Sequence, residues 1–509
     1  MDKKIIFSLL GNVLIAFSVT FALPIFYAAV FARNFEYAVF FAIVGICVLT
    51  VERVLKKFGS GHRRRLPLLA AAISMLLIYP VVAIFGFLPF VYFGILPPID
   101  AALETISDLT SSGISILPQN SPYIFILWQS VLMWFGSLIF LVMLVTVMPE
   151  VSGCFGLTLS LHGGQNFSPV FGQMLVMAER MIKVYTALTI FSFVIFKFAG
   201  LDFWDSILMA MRCISTGGGN FFPSQENILV EYAAAFVMIL ACGNFLFYHR
   251  LIVTLKPPIS RRRGKFFQRG IIYFKKVSKN FVHNVKHFFR NSEIKAIIGI
   301  IFFGVTIITF RLHRHGIFSD SEDILRQTFF HVASFLSTTG IYLETFEQLD
   351  NFDKFLIVLM AIFGGCIGSV TGGIKIMRVI VLARILKAEL TKTIHPRMVT
   401  AIKVNHFTVP QEIIGRILGF FFLVCISLFV SAAGLSFTGL DFSEAVGMSF
   451  ACLTNLGTLP GLCEPENFLG LPIAGKFFCM SILIIGRLEI FVILIVIAGL
   501  ISRRNIKEW

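Results

Sequence analysis

The sequence predicts an all-α polytopic membrane protein: four tandem helix–pore loop–helix repeats around one axis, preceded by an N-terminal helical hairpin. Three observations lead there. Hydrophobic residues make up 57% of the 509-residue chain and charged residues only 14%, against roughly 25% charged residues in a soluble domain. Runs of about 20 apolar residues, enough to cross a hydrocarbon layer of roughly 30 Å, recur along the whole chain. Four short polar loops ending in glycine interrupt them, the glycines lying 104, 123 and 117 residues apart. Internal periodicity of this kind marks a repeat architecture.

The elements follow in order. Residues 5–31 form an apolar run, longer than the roughly 7–15 residues of a signal-peptide core, and a second run covers 36–52. Lys3 and Lys4 before them and Arg63-Arg64-Arg65 after them hold both ends in the cytoplasm by the positive-inside rule, so residues 1–58 are a hairpin. Repeat 1 (59–150) has spans at 66–90 and 123–148, and repeat 2 (151–255) at 180–200 and 228–248. Repeat 3 (256–395) has spans at 294–311 and 354–384, and repeat 4 (396–509) at 411–434 and 473–500. That makes ten crossings. Between the two spans of each repeat lies a segment too short and too polar to cross. It starts near Asp100, Asp205, Asp323 or Asp441, each read as a helix N-cap. The segment reads as a short pore helix entering from outside and returning as an extended loop. Non-helical backbone at membrane depth is tolerated only when buried in protein or lining water, which brings four such loops to one central pathway.

The formal net charge of +15 is unevenly placed: no Lys or Arg occurs from Leu66 to Glu179, and thirteen occur between Arg250 and Lys295 against the single acid Glu293. Blocks like this between apolar spans are cytoplasmic loops in contact with anionic membrane lipids, not a nucleic-acid surface. The connections at 53–65, 250–295 and 378–403 and the tail with Arg503, Arg504 and Lys507 fall on that side. Asp100, Glu104, Asp108, Asp320, Glu322, Asp441, Glu464 and Glu466 fall on the other. Arg311 and Arg314 on the outer side, and the 150–179 connection without Lys or Arg, run against the pattern. Nine scattered cysteines without a C-x-x-C pair read as small apolar packers. His283 and His287 have helical i, i+4 spacing but no cysteine or carboxylate close by in sequence to complete a zinc site. With no His-Glu-x-x-His, no Gly-x-Ser-x-Gly and no paired intramembrane aspartates, the chain reads as no enzyme, and a receptor role leaves the four loops without a reason.

The candidate cation-binding residues are Thr110-Ser111-Ser112-Gly113, Ile214-Ser215-Thr216-Gly217, Ser337-Thr338-Thr339-Gly340 and Thr454-Asn455-Leu456-Gly457. A dehydrated cation needs several oxygens at once, and carbonyls and hydroxyls supply them without a fixed charge that binds too tightly. Glycine lets main-chain oxygens turn together towards an axis. The pore helices also aim their partly negative C-terminal ends at the pathway. Ser112, Thr216 and Thr339 stand beside the glycines as hydroxyl donors.

A second polar interruption, residues 364–373, carries five glycines (Gly364, Gly365, Gly368, Gly372 and Gly373) with Ser369 and Thr371 inside an apolar span. Each glycine costs a helix about 1 kcal/mol relative to alanine, so the expectation is a broken helix and a polar loop beneath the four-loop ring. Lys375 either lines the inner mouth or snorkels to the cytoplasmic surface. Arg487 is the one basic residue deep in the last span. A charge there costs about 2.5–3.5 kcal/mol and calls for a partner or water; Glu489 is near in sequence but on another helix face. Glu104 and Asp108 either concentrate cations outside or serve as solvated or capping carboxylates.

With these residues in view, the chain resembles the TrkH/KtrB superfamily of potassium uptake proteins, which includes the Trk and HKT proteins of fungi and plants. Beyond the four loops the resemblance rests on Leu88-Pro89-Phe90, Trp134-Phe135-Gly136, Gly243-Asn244-Phe245, the Gly364–Lys375 stretch, His395-Pro396-Arg397 and Gly486-Arg487-Leu488-Glu489-Ile490-Phe491. The two extra N-terminal helices make it more TrkH-like. The resemblance implies a pseudo-fourfold pore in one chain, a homodimer, and a cytosolic nucleotide-binding ring of the TrkA/KtrA kind as regulator. It implies that Gly364–Gly373 is a gate and that Arg487 lies against it as a barrier to cations. A glycine in every loop, Gly113 included, implies potassium. Two departures concern selectivity: Thr-Ser-Ser-Gly stands in the first loop where Thr-Thr-Thr-Gly is commoner, and Thr458 and Leu459 are added before Pro460-Gly461 in the fourth. The reading is K+ uptake across the cytoplasmic (inner) membrane, with a sodium-selective or sodium/proton-coupled cation transporter as the alternative.

Overall fold

The computed structural model describes residues 3–59, 67–146, 171–219, 222–223, 227–255, 288–315, 321–343, 346, 348–398, 401–405, 407–459, 461 and 463–501. The basic 256–287 segment with His283 and His287, most of the 150–179 connection, Arg63–Arg65 and the basic tail lie outside the described residues.

The N-terminal hairpin comprises α1 (Lys3–Thr20), α2 (Ala22–Phe26), a π turn (Tyr27–Phe31) and α3 (Phe35–Phe58). Asn34 starts α3 by accepting the Glu36 and Tyr37 N–H groups, an Asn N-cap on orphan donors. Its aromatic seam docks onto repeat 1: Phe21 and Phe41 lie 4.7 and 5.3 Å from the Trp128 ring, centroid to centroid. The opposite face leaves Phe35, Val39, Ile43 and Ile46 exposed, as a lipid-facing surface requires.

Each repeat then has a first span, a pore helix and a second span. Repeat 1 uses α4 (Leu68–Gly86), the short α5 (Leu88–Tyr92), α6 (Pro98–Thr110) and α7 (Tyr123–Thr146). Repeat 2 uses α8 (Phe171–Phe198), α9 (Phe203–Ser215), α10 (Ile228–Cys242) and α11 (Phe245–Leu255). Repeat 3 uses α12 (Ser292–His315), α13 (Ser321–Leu336), α14 (Asn351–Phe363) and α15 (Ile376–Ile394). A two-residue β-hairpin, β1 (Lys403–Val404) with β2 (Phe407–Thr408), leads to α16 (Gln411–Ser436), α17 (Phe442–Thr454), α18 (Pro465–Gly470), α19 (Ile473–Leu488) and α20 (Ile490–Ile501).

Of the ten expected crossings, seven are helices long and apolar enough to span. Two more are bent pairs, α10/α11 at 96° and α19/α20 at 104°. The remaining one is interrupted outright between α14 and α15. The bends at Gly243-Asn244 and at Glu489 went unforeseen, because a single small or polar residue in an apolar run does not by itself announce a break. The chain is thus a multi-pass membrane protein. Among the seven unbroken spans of the described residues the most enclosed is α7, 89% of whose apolar stretch is buried. Here Gly136 lets the end of α6 come close, since a methyl at that position would fall on the Leu109 carbonyl.

The pore-helix starts differ from the sequence reading. Only Asp441 caps its helix, in a reciprocal box with Glu444. Asp100 and Asp205 lie inside the first turn of helices whose caps are Pro97 and Asp202, and Asp323 is likewise in the first turn of α13. These carboxylates have other partners. Asp100 meets Lys476 of α19 at 2.5 Å, and Asp205 accepts from Tyr123 of α7 at 2.7 Å. Asp323 binds Arg326, which also binds Glu231 of α10 at 2.9 Å. Each of these three links ties a pore helix to the second span of the preceding repeat, with α6 following the last repeat cyclically. The outer-side Arg311 is similarly accounted for, paired with Asp353 at 2.8 Å and lying over Phe352. Of the two cations that broke the charge pattern, Arg311 is thus neutralised by an acid of a neighbouring helix, and Arg314 lies over the Phe310 ring.

Asp100 and Lys476 are both buried. Removing one partner strands the other's charge, which costs about 3–5 kcal/mol. Lys476→Met is expected to lower the thermal unfolding midpoint in detergent markedly, and Lys476→Met with Asp100→Leu to recover most of the loss. A single substitution without effect on the midpoint contradicts the assignment of this pair as a clasp between the first and last repeats.

Candidate ion-conducting site

Every pore helix ends the same way. Its last residue is followed, within two positions, by a non-glycine in the left-handed region: Ser111 (φ 53°), Thr216 (55°), Thr338 (56°) and Asn455 (51°). The next N–H reaches back five residues into the helix: Ser112 to Ser107 O, Gly217 to Arg212 O, Thr339 to Ser334 O, and Leu456 to Ala451 O, at 2.9–3.1 Å. These hydrogen bonds fix the register between repeats. Ser112, Gly217, Thr339 and Leu456 are equivalent, and the residue after each is Gly113, Gly218, Gly340 or Gly457. The second loop is therefore Ser215-Thr216-Gly217-Gly218. Gly217 sits one place earlier than the sequence alignment of the loops had put it, and Ile214 belongs to the pore helix. Three consecutive glycines, Gly217–Gly219, hid the register.

The four loops close on one another in cyclic order. Gly218 N donates to Thr339 O at 3.0 Å, and a methyl at Gly218 would fall on that same oxygen. A methyl at Gly340 would fall on Leu456 O, and one at Gly457 would come within 3.0 Å of Ser112 O. One at Gly113 would meet the amide nitrogens of Gly218 and Gly219 at 3.1 and 2.9 Å. Loop 1 thus touches loop 2, 2 touches 3, 3 touches 4, and 4 returns to 1. Four strands of backbone meet at a separation that only hydrogen side chains permit.

The hydroxyls serve mostly to brace this ring from behind. Ser111 Oγ bonds Ser137 Oγ at 2.5 Å, and Ser112 Oγ bonds Ser107 Oγ at 2.7 Å. Ser337 Oγ bonds Thr339 Oγ1 at 2.6 Å. Thr110 and Thr454 bond back to their own helices, at Ile106 O and Phe450 O. Asn455 donates to Leu483 O at 3.3 Å. Thr216 Oγ1 is buried without a hydrogen-bond partner among the described residues.

Bracing from the pore helices follows the repeats in part. Nine residues before the ring glycine, Glu104 accepts Ile116 N at 2.8 Å in repeat 1, and His331 Nε2 accepts Leu343 N at 3.2 Å in repeat 3. Six residues before it, Ser107 donates to Ile114 O and Ser334 to Ile341 O, both at 2.6 Å. Repeat 2 has Arg212 at that place, and repeat 4 has Ala451. Glu104 and Asp108 are fully buried behind the loops, so they neither face the outer solution nor cap a helix. Arg212, Gln129 and His331 were not singled out from the sequence. For Arg212 and His331, residue type at equivalent pore-helix positions of the internal repeat is the signal that would have found them.

Beneath the ring, residues 364–375 leave the helical path between α14 and α15. Gly372 N donates to Thr338 Oγ1 at 2.8 Å, and a methyl on Gly372 would strike Thr454 O, so the segment lies directly against loops 3 and 4. The bend at Gly243-Asn244 holds its other side. Cys366 N donates to Cys242 O at 2.9 Å, Phe245 N donates to Gly368 O at 3.0 Å, and Asn244 leaves Gly368 no room for a side chain. Glu293 of α12 accepts Ile367 N at 3.0 Å. Gly364, Gly365 and Gly373 line the turn where α14 leaves off and α15 begins, a methyl on Gly364 falling on Gly372 O.

Arg487 is buried, donating to Val370 O at 2.9 Å and to Ser137 Oγ at 3.0 Å, with its guanidinium 4.2 Å from the Phe140 ring centre. It therefore spans from the interrupted segment to a helix behind loop 1. Lys375, also buried, folds back onto its own segment, donating to the Thr371 carbonyl and to Thr371 Oγ1. It does not reach the cytoplasmic surface. Glu489 pairs with Arg378 at 2.7 Å rather than with Arg487.

A bundle of spanning helices whose uncharged loops close into one ring, above an interrupted helix, defines a membrane transport protein for ions. The TrkH family model, described as cation transport protein, matches residues 92–507, and the chain belongs to this family of transporters. It is 26% identical over 516 residues to the Trk system potassium uptake protein TrkH of Escherichia coli (strain K12), covering 97% of this chain and 98% of that protein. It is 27% identical over 510 residues to the TrkH of Halomonas elongata, covering 97% and 98%. The crystal structure of the potassium transporter TrkH from Vibrio parahaemolyticus superposes with a TM-score of 0.81 at 25% identity, covering 99% of this chain and 100% of that one.

Gly340→Ala places a methyl on the Leu456 carbonyl at a residue with φ 75°. Strain of about 1–3 kcal/mol at a ring contact is expected to cut cation flux at least about tenfold, a barrier change of roughly 1.4 kcal/mol, in protein that still reaches the membrane. Gly299→Ala in α12, where nothing lies within 4 Å of the added methyl, is expected to transport normally. Equal flux from the two variants contradicts the assignment of the ring.

Proposed function

We propose that the protein takes up K+ through the ring formed by the loops that carry Gly113, Gly218, Gly340 and Gly457. The cyclic contact of those loops is the observation that carries this reading. It brings the main chain of four segments to one place without a carboxylate, and main-chain oxygens are the donor set that replaces the water of an alkali cation while still releasing it. Thr110, Ser111, Ser112, Ser215, Thr216, Ser337, Thr338, Thr339, Thr454, Asn455 and Leu456 complete the filter, and Gly217 takes the place of a hydroxyl residue in loop 2. Relatives named as potassium uptake proteins support K+ as the cargo. Entry is driven by the membrane potential, about 2.3 kcal/mol per charge per 100 mV.

The segment Gly364–Gly373 is the gate in this reading. Its glycines, its hydrogen bond to Thr338 and its contact with Thr454 let a movement of α14 or α15 change the pathway just below the filter. Arg487, held to Val370, sets a positive barrier there, and Lys375 adds a second charge. A homodimer and a cytosolic nucleotide-binding regulator fit the family, the regulator acting on the inner face that carries α15. A sodium-selective or sodium- or proton-coupled pathway is the second reading, favoured by Ser112 in loop 1 and by the longer loop 4, where Leu459 and Cys463 pair by backbone hydrogen bonds of 2.7 and 2.8 Å.

The test is radiolabelled Rb+ entry into proteoliposomes containing the purified chain, with Na+ as competitor. Uptake above empty vesicles that Na+ barely inhibits is expected. Uptake no greater than in empty vesicles, with a cytosolic extract supplied, overturns transport, and stronger inhibition by Na+ than by K+ moves the assignment to sodium. Arg487→Gln keeps hydrogen-bonding capacity without charge. It is expected to raise flux about fivefold, equivalent to roughly 1 kcal/mol of barrier, and unchanged or lower flux removes the barrier role.

A further inference from the structure

Repeat 2 differs from its neighbours behind the ring. Where repeats 1 and 3 carry Ser107 and Ser334, it carries Arg212, which is completely buried. Its Nη1 donates to Gly218 O at 3.1 Å, its Nε donates to Ser130 Oγ at 2.8 Å, and its Nη2 donates to Gln129 Oε1. The serines bind the carbonyl one residue beyond the ring glycine; Arg212 binds the carbonyl of the ring glycine itself. Its balancing charges come from repeat 1. Gln129 Nε2 also donates to Glu104 Oε1 at 2.5 Å, and Glu104 and Asp108 both act electrostatically on the guanidinium. Asp108 lies close enough to Arg212 to act as its countercharge, with Gln129 beside both.

We propose that Arg212 is a specificity-determining residue of the pathway: it commits the Gly218 carbonyl to a fixed positive charge and so lowers the ring's affinity for the permeating cation at that one quadrant. A carbonyl already hydrogen-bonded to a guanidinium offers less of its dipole to a cation. The guanidinium also repels that cation across a water-poor space where charges are weakly screened. Asp108 offsets that repulsion. The ring is therefore uneven, and Arg212 with Asp108 sets by how much. The inference rests on the loops being the cation pathway.

The two charges make opposite predictions, read as the apparent KM for Rb+ entry into proteoliposomes. Asp108→Asn leaves Arg212 less balanced and raises KM at least about threefold. Arg212→Ser with Asp108→Asn, which reproduces the serine of repeats 1 and 3 at constant net charge, lowers it by a similar factor. Arg212→Lys keeps the charge and stays within about twofold of the wild type. A double variant with lower maximal rate and unchanged KM, or an Asp108→Asn variant with unchanged or lower KM, overturns the proposal. So does Arg212→Lys if it behaves like the double variant, since geometry rather than charge is then responsible. Should the double variant fail to reach the membrane, the Asp108→Asn result decides. Wild-type vesicles without Rb+ entry refute instead the transport reading beneath it.

Discussion

Four segments of main chain in this protein meet at a distance that forbids a side chain, and the rest of the architecture exists to keep them there. Gly218 N bonds Thr339 O, and methyls at Gly340 and Gly457 would collide with or crowd the carbonyls of Leu456 and Ser112. Backbone of this kind at membrane depth has no lipid-facing alternative, because its polar groups have nowhere else to go. The pore helices, the second spans and the links between repeats follow from that requirement. Asp100–Lys476, Asp205–Tyr123 and Glu231–Arg326 each hold one repeat to the next.

The same constraint explains why so much charge is buried in so apolar a chain. Arg212, Arg487, Glu104 and Asp108 are each at most 2% exposed. In the apolar interior such groups persist by meeting backbone carbonyls, amides or one another. Arg487 meets Val370 O, Arg212 meets Gly218 O, and Glu104 meets Ile116 N. These side chains grip main chain that is not in a helix. They are the scaffolding that irregular backbone needs, and by their charge they also bear on any cation that passes beside it.

Pseudo-symmetry in the chain path is fourfold, but the bracing is not. Glu104 and His331 perform one task in repeats 1 and 3, as do Ser107 and Ser334. At the corresponding positions repeat 2 has Met209 and Arg212 and repeat 4 has Met448 and Ala451. The interrupted segment 364–375 enters from one side only, against loops 3 and 4. A common fold thus leaves room for each quadrant to be tuned separately.

Composition, span length and the spacing of four glycine loops were enough to establish a membrane protein of four repeats, because hydrocarbon imposes a length and a polarity on whatever crosses it. The break at 364–373 was legible too, since five glycines cannot be good helix. Other matters were settled by neighbours distant in the chain. Loop 2 takes its register from Arg212 O and Thr339 O, not from its own run of three glycines. Helix breaks at Asn244 and Glu489 are held by Gly368 and Arg378. Asp100 and Asp205, read as caps, serve Lys476 and Tyr123 instead. A sequence records which groups need partners in a membrane; only the folded chain decides which partner each one finds, because those choices depend on approach distances between segments more than a hundred residues apart in some cases.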